Sequence, residues 1–277
     1  MYDVIVSIVT YKQKHHLERC LETLFEDAQK SGLNFRVAIV DNASFDDVAS
    51  VVNKFPHIDF LKNDRNVGFG KSHNRIMGNY PEAKYYFILN ADTVFPQEQN
   101  LLKALYDFME QNPKIGITGP KLLYPDGSLQ YSCCRFPNFL QPLYSRTRFG
   151  ATPRGTRVNN HFLMKQWNHN QTIPVDWIIG SAMFARKTAI DAVGKFDERF
   201  WMYAEDSDWC RSMWQNGWYV YYLPTIFLYH VHERSSAKIP GVWKAIFTNH
   251  YARVHIKSWI KYFWKWRNTH IHYAQKP

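Results

Sequence analysis

Apolar positions along the chain fall into two recurring patterns: short unbroken runs, and stripes spaced by three and four residues. Val4 to Val9 is a run closed by Thr10-Tyr11-Lys12. Leu17, Cys20, Leu21, Leu24 and Phe25 follow at the spacing of a helix lying on a sheet. Phe35 to Val40 is a second run, ending in Asp41-Asn42-Ala43-Ser44. Val48, Val51, Val52 and Phe55 form the next stripe, with Ser44 or Asp46 as the expected cap. Ile58 to Leu61 reads as a third strand, and Arg65-Asn66-Val67-Gly68-Phe69-Gly70 opens a polar helix through Asn74. Tyr85 to Leu89 is wholly apolar or aromatic and ends in Asn90-Ala91-Asp92, before a helix marked by Leu101, Leu105, Phe108 and Met109. Runs bounded by turn formers predict strands covered on both faces. Their alternation with helices predicts an α/β chain with a largely parallel sheet and right-handed crossovers.

After residue 114 the pattern changes. Ile115 to Thr118 is a strand, and Pro125-Asp126-Gly127 marks a tight turn between short strands. Cys133 to Thr172 is polar, Arg-rich and weakly periodic, which predicts a lid, a binding loop or a disordered stretch. Order returns from Val175 to Phe184. A helix starts in Met202-Tyr203-Ala204-Glu205-Asp206-Ser207-Asp208-Trp209 and stops at Asn216-Gly217. Trp218 to Leu223 and Phe227 to His230 are expected as two final strands.

Composition narrows the class. The chain has 277 residues, 45% hydrophobic and 21% charged, as in soluble globular proteins. No run reaches 18 apolar residues, so no membrane-spanning helix is expected. Met1-Tyr2-Asp3 brings an early acid and no basic segment, so the N-terminus reads as a first strand, not a signal peptide. Cys20, the adjacent Cys133 and Cys134, and Cys210 do not form a disulfide framework, and reduced thiols in a cytosol are expected.

The net charge of +10 is concentrated at one end: nine Lys or Arg and no acid follow Glu233. The near-neutral body argues against a nucleic-acid-binding module. In the tail, Arg253, Lys257, Lys261 and Lys265 recur every four residues, largely opposite Ile256, Trp259, Tyr262, Phe263 and Trp266. That pattern predicts a helix lying on an anionic membrane surface, with packing on the body as the other reading.

The strand ends leave Thr10, Asp41, residues 66–70 and Asp92 on one rim, where open α/β sheets bind ligands. Neither a Gly-x-Gly-x-x-Gly fingerprint nor a Walker loop is present. Glu205-Asp206 lies at a helix start and His230 at a strand end. Each feature alone has an ordinary explanation: acids begin turns and complement helix dipoles.

Taken in order, Ser7-Ile8-Val9-Thr10-Tyr11, Val40-Asp41-Asn42-Ala43-Ser44, Asn66-Val67-Gly68-Phe69-Gly70, Leu89-Asn90-Ala91-Asp92, Gly180-Ser181-Ala182-Met183, Tyr203-Ala204-Glu205-Asp206 and His230 with Ser235-Ser236 closely resemble family 2 glycosyltransferases of the GT-A fold. The likeness is greatest to bacterial rhamnosyltransferases that extend lipid-linked polysaccharide precursors. It implies a Rossmann-like mixed sheet flanked by helices. The expected catalytic domain is 1–236, with a nucleotide-sugar half (1–114), an acceptor half (115–236) and a membrane-associating tail (237–277).

By the same resemblance, Thr10, Tyr11, Asp41 and Asn42 would hold the nucleotide, and Asn66 and Gly68 would run beneath it. Asn90 and Asp92 occupy the Asp-x-Asp motif, and Asn90 replaces its first acid. Asp92 and His230 would hold Mg2+ or Mn2+, and Asp206 would be the general base with Glu205 as its rival. Trp177, Gly180 and Ser181 would line the acceptor. The implied donor is dTDP-rhamnose and the acceptor a polyprenyl-diphosphate-linked saccharide, used on the cytoplasmic face of a bacterial membrane.

A UDP-hexose or galactofuranose donor, and a non-catalytic sugar-nucleotide-binding module, are the alternatives. A nucleotidyltransferase would carry a Gly-rich, basic loop after the first strand, which Thr10-Tyr11-Lys12 is not. At the helix start the dipole should keep Asp206 ionised.

Overall fold

The computed structural model describes residues 1–231 and 249–270, so the Ser235-Ser236 motif lies outside the described residues. The first half runs β1 (Val4–Thr10), α1 (Lys14–Ser31), β2 (Phe35–Asp41), α2 (Val48–Val52), β3 (Ile58–Lys62), α3 (Phe69–Asn79), β4 (Tyr85–Asn90), β5 (Thr93–Val94) and α4 (Leu101–Gln111). β6 (Ile115–Leu123), β7 (Leu129–Gln130) and β8 (Cys133–Cys134) follow. Then come α5 (Gln141–Arg146), a 3-10 turn (Arg148–Ala151), α6 (Pro153–Phe162), β9 (Ile173–Pro174) and β10 (Trp177–Ile178). β11 (Ala182–Arg186), α7 (Lys187–Val193), α8 (Glu205–Gln215), β12 (Tyr219–His230) and α9 (His250–Trp266) complete the described chain.

One sheet carries the strands in the order β3-β2-β1-β4-β11-β6-β12-β5. β1 pairs in parallel with β2 and β4, whereas β11 runs antiparallel to β4 and β6, which makes the sheet mixed. Because side chains alternate across a strand, Val4, Val6 and Ile8 join the cluster under α1 and α4, and Ile5 joins the cluster with α3 and α8. All four are fully buried, as unbroken apolar runs require. The four cysteines are free and buried.

Three local expectations are corrected, and a fourth is extended. Neither Ser44 nor Asp46 caps α2: Ser44 Oγ accepts from Lys12 N (2.9 Å) and Asp46 Oδ2 from Lys14 N (3.2 Å), so both brace the β1–α1 loop. The stretch expected as a lid or loop contains α5, the 3-10 turn and α6, the last begun by Thr152 accepting from Gly155 N (3.1 Å) with Pro153 at its first turn. The two final strands are one, β12, with its register shifted between Leu223 and Phe227. Pro224 lacks the N–H that a regular ladder would use there.

The tail helix is the fourth. α9 packs on the body, with Ala252, Ser258 and Tyr262 buried. Lys261 Nζ donates to Arg199 O (2.7 Å), and Lys265 Nζ lies 2.7 Å from Asp208 Oδ2 and 3.0 Å from Asp197 Oδ2. Trp266 Nε1 donates to Asp208 Oδ1 (2.8 Å). Part of the basic stripe therefore faces protein. No described helix is long and apolar enough to cross a membrane.

Candidate active site

The parallel register sets Thr10 beside Asp41 at the ends of β1 and β2. Asp41 Oδ1 accepts from Ser44 N (2.9 Å), while the buried Thr10 Oγ1 has no partner. Tyr11 is half-buried at the same rim. A cavity of about 540 Å³ opens alongside, lined in part by Lys12, His15, Ser44 and Asp46.

Asn42 acts as a clamp here. Its amide donates to Asn66 Oδ1 (2.9 Å), and its Oδ1 accepts from Val67 N (2.9 Å) and Asn63 Nδ2 (3.0 Å). Its side chain is thereby committed to holding the 66–70 loop against the β2 end. Gly68 has φ +94°, and a Cβ there would fall 2.0 Å from Trp201 O. Only glycine fits that approach.

Across the sheet, β12 pairs with β5 so that His230 stands opposite Thr93, one residue from Asp92. His230 Nδ1 is hydrogen-bonded with Gln130 Oε1 (2.7 Å), and Nε2 is turned toward Asp92 Oδ1 (3.2 Å) and Asn90 Nδ2 (3.3 Å). Apart from that contact, Asp92 Oδ1 is buried without a hydrogen-bond partner. Burial alone would raise the Asp92 pKa, but the contact and charge of His230 outweigh it, and the carboxyl lies below its ordinary value.

An ionised carboxylate beside an imidazole nitrogen whose other nitrogen is held by an oxygen acceptor suits a divalent cation. Among the described residues no cluster of three or more His, Cys, Asp or Glu side chains is present, so substrate phosphates and water would complete any such sphere.

On the other wall, Tyr203 (φ 69°) and Ala204 (φ 68°) turn the chain into α8 through conformations that non-glycine residues rarely adopt. Asp206 Oδ2 accepts from Gly180 N (3.0 Å) and Oδ1 from Ser207 N (2.8 Å). Burial pushes Asp206 up to about 6, against those backbone donors. Water exclusion thus outweighs the helix dipole that was expected to keep it fully ionised. Glu205 is buried with Oε2 unpartnered, and burial followed by the Asp206 charge raises its pKa well above the usual range.

Gly180 has Phe69 and Asp206 against it: a Cβ would meet Phe69 at 3.0 Å and the Asp206 Cβ at 3.7 Å. Ser181 Oγ accepts from Asn90 Nδ2 (3.2 Å). A continuous chain of contacts therefore runs from Asp206 through Gly180, Ser181 and Asn90 to His230 and Asp92. This chain joins two carboxylates of different character, Asp206 at the start of α8 and Asp92 just after β4. That arrangement suits activation of a hydroxyl beside a metal-bound diphosphate.

The sequence model of the family described as Glycosyl transferase family 2 matches residues 5–174. The chain belongs to that family. It is a glycosyltransferase of the GT-A fold. It is 27% identical over 261 residues to the N-acetylglucosaminyl-diphospho-decaprenol L-rhamnosyltransferase of Mycobacterium tuberculosis, covering 87% of this chain and 80% of that protein. Rhamnosyltransferase WbbL of Escherichia coli K12 is 22% identical over 268 residues, covering 94% and 92%.

Among solved structures, the mannosyltransferase PcManGT of Pyrobaculum calidifontis with GDP-Man and Mn2+ superposes with a TM-score of 0.57 at 14% identity, covering 97% of this chain and 76% of that one. Staphylococcus aureus TarS with UDP gives 0.55 at 16% identity, covering 84% of this chain and 61% of that one.

Gln130, Asn63 and Trp201 were not anticipated as parts of the site. The first two are polar residues in short or turn segments with no periodicity to mark them. Trp201 acts through its backbone oxygen against Gly68 and through its indole N–H, which donates to Asn66 O (3.1 Å).

Proposed function

We propose that this glycosyltransferase moves L-rhamnose from dTDP-rhamnose to a polyprenyl-diphosphate-linked saccharide, by single displacement with inversion. The rhamnosyl group follows the names of both rhamnosyltransferase relatives and the lipid-diphosphate acceptor that of the Mycobacterium tuberculosis one, while dTDP rests on the resemblance of the sequence motifs. The observation that carries the chemistry is the contact chain joining Asp206 to Asp92 and His230.

Asp206 accepts the proton of the attacking acceptor hydroxyl as that oxygen bonds to the sugar's anomeric carbon and the bond to the donor phosphate breaks. Gly180 N–H and Ser207 N–H fix the carboxylate and leave its remaining lone pairs for the substrate. Glu205, raised further and enclosed, stays protonated and serves as a neutral neighbour. Asp92 and His230 would hold Mg2+ or Mn2+, which when bound neutralises charge on the leaving diphosphate. Thr10, Tyr11 and Asp41 border the nucleotide, and the Asn42-clamped loop with Asn66 and Gly68 lies beneath it. Trp177, Gly180 and Ser181 form the acceptor wall.

The protein works at the cytoplasmic face of the membrane, held by the exposed side of α9. A panel of dTDP-rhamnose, UDP-hexoses and UDP-galactofuranose, each with Mg2+ or Mn2+ and a lipid-diphosphate saccharide, tests the reading. Transfer from dTDP-rhamnose should exceed transfer from any UDP-sugar. Faster transfer from a UDP-sugar would reassign the donor, and binding of every donor with no transfer would leave a binding module.

A further inference from the structure

A second cavity, of about 380 Å³, lies between the 135–141 stretch and α6. Arg135, Arg157, His161 and Gln141 contribute its polar lining, with Phe136 and Phe162 among its apolar walls. It falls within the roughly 300–1,000 Å³ of small-ligand sites. Its frame is built: Arg135 N donates to Phe162 O (2.9 Å), and Gln141 Nε2 donates to Asn159 Oδ1 (2.9 Å).

No acid lines the cavity. None occurs anywhere between Asp126 and Asp176, where six Lys or Arg stand. Arg135 is partly compensated by Asp176 (3.4 Å), whereas Arg157 and His161, exposed neighbours at i and i+4 on α6, have no acidic partner among the described residues. A forked guanidinium suits a phosphate.

The two ends of the cavity differ. Toward the active site, Trp177 Nε1 donates to Arg135 O (2.9 Å), and Gly180, which holds Asp206, is three residues further along the chain. Three residues span at most about 10 Å, the scale of one sugar unit. Toward the outside, Phe139 and Leu140 are 58% and 47% exposed, and Phe139 stacks on Trp259 of α9 with centroids 4.6 Å apart. A ligand lying across the cavity would have a sugar at one end, an anion in the middle and a hydrocarbon at the other.

We propose that this cavity receives the diphosphate of the lipid-linked acceptor, with Arg157, Arg135 and His161 contacting its oxygens and the Phe139 rim meeting the lipid chain. This rests on the lipid-linked acceptor of the proposed function, so it is tested by binding, which needs no transfer. The probe is farnesyl diphosphate, titrated calorimetrically into the full-length protein with the donor site saturated by dTDP and Mg2+. Farnesol and inorganic pyrophosphate are the comparison ligands.

Farnesyl diphosphate should bind at least about 10-fold more tightly than either, since each lacks one half of the recognition. The R157Q/H161Q double variant should lose about 10- to 100-fold in affinity for it, the effect of removing charge-assisted contacts. R154Q, an exposed charge on the same helix outside the cavity, should leave affinity unchanged. Thermal melts confirm that the variants are folded. Wild-type affinity in R157Q/H161Q, equal loss in R154Q, equal binding of farnesol, or equal binding of pyrophosphate would each overturn the proposal; the last would point to a free-phosphate site. Failure of the donor panel with these binding results intact would overturn the transferase reading alone.

Discussion

At the scale of single residues, the proposed mechanism turns on one carboxylate whose ionisation burial makes costly. Burial pushes the Asp206 carboxyl from its ordinary range up to about 6. A base must be unprotonated, so kcat/KM should fall as pH drops through about 6, and hold above it. Asp206→Asn should lower kcat by about 10²- to 10⁴-fold while sparing nucleotide-sugar affinity.

The same shift fixes a stability signature. A carboxyl with a raised folded pKa supplies stability below its unfolded value and loses it as pH rises through the folded value. Asp206→Asn should therefore melt above wild type at pH 8, and the difference should vanish near pH 4. Retained turnover, or no pH-dependent gain in melting temperature, would remove Asp206 as the base.

How far these residues were readable depended on what each one does. Asp92, Asp206 and His230 stand at strand ends or a helix start, positions that the apolar pattern exposes. Asn42 and Gln130 act by holding other polar groups: Asn42 the loop after β3, which lies beside β2, and Gln130 the ring of His230, a pairing known only once β7 and β12 lie on β6.

At the scale of elements, the apolar runs specified β1, β2 and β4 well because burial on both faces leaves only one pattern. α5 and α6 were harder to see. Their stretch is polar and broken by Pro142, Pro153, Gly150 and Gly155, although Thr152-Pro153 was a readable start signal.

α9 shows how a correct helical stripe can hide its partner. Lys265 was expected in a stripe facing an anionic surface, but it meets the buried Asp208, two residues beyond Asp206. Burial raises Asp208, and Lys265 acts against that rise. Lys265→Met should destabilise the protein by about 1–3 kcal/mol. That is less than the roughly 3–5 kcal/mol of a fully buried broken pair, because Lys265 keeps 23% exposure. Urea unfolding measures this, and an unchanged midpoint would show that the clasp adds nothing. Deleting α9 should cost more, since the buried Tyr262 would go with it and Asp208 and Arg211 would lose their partners.

At the scale of the whole molecule, the packed helix still presents a face to solvent. Arg253, Lys257, Lys261 and Arg267 are exposed there, interleaved with Ile260 (53%) and Trp264 (68%). Phe139 and Leu140 are exposed beside them. Basic residues with intervening large apolar side chains suit the headgroup boundary of an anionic bilayer, where each Lys or Arg contributes about 1 kcal/mol. Packing and membrane contact are compatible here because they use different sides of α9.

The two contributions separate by salt. Arg253→Gln with Lys257→Gln should abolish most co-sedimentation with phosphatidylserine-rich liposomes at low salt. Little difference should remain at 1 M salt, where the screening length falls from about 10 Å to about 3 Å. Ile260→Ser with Trp264→Ser should weaken sedimentation at both salt concentrations, since apolar insertion is not screened. Neither pair touches the Asp208 clasp, so both variants should keep the wild-type urea midpoint. Sedimentation of both pairs like wild type would confine α9 to its packing role.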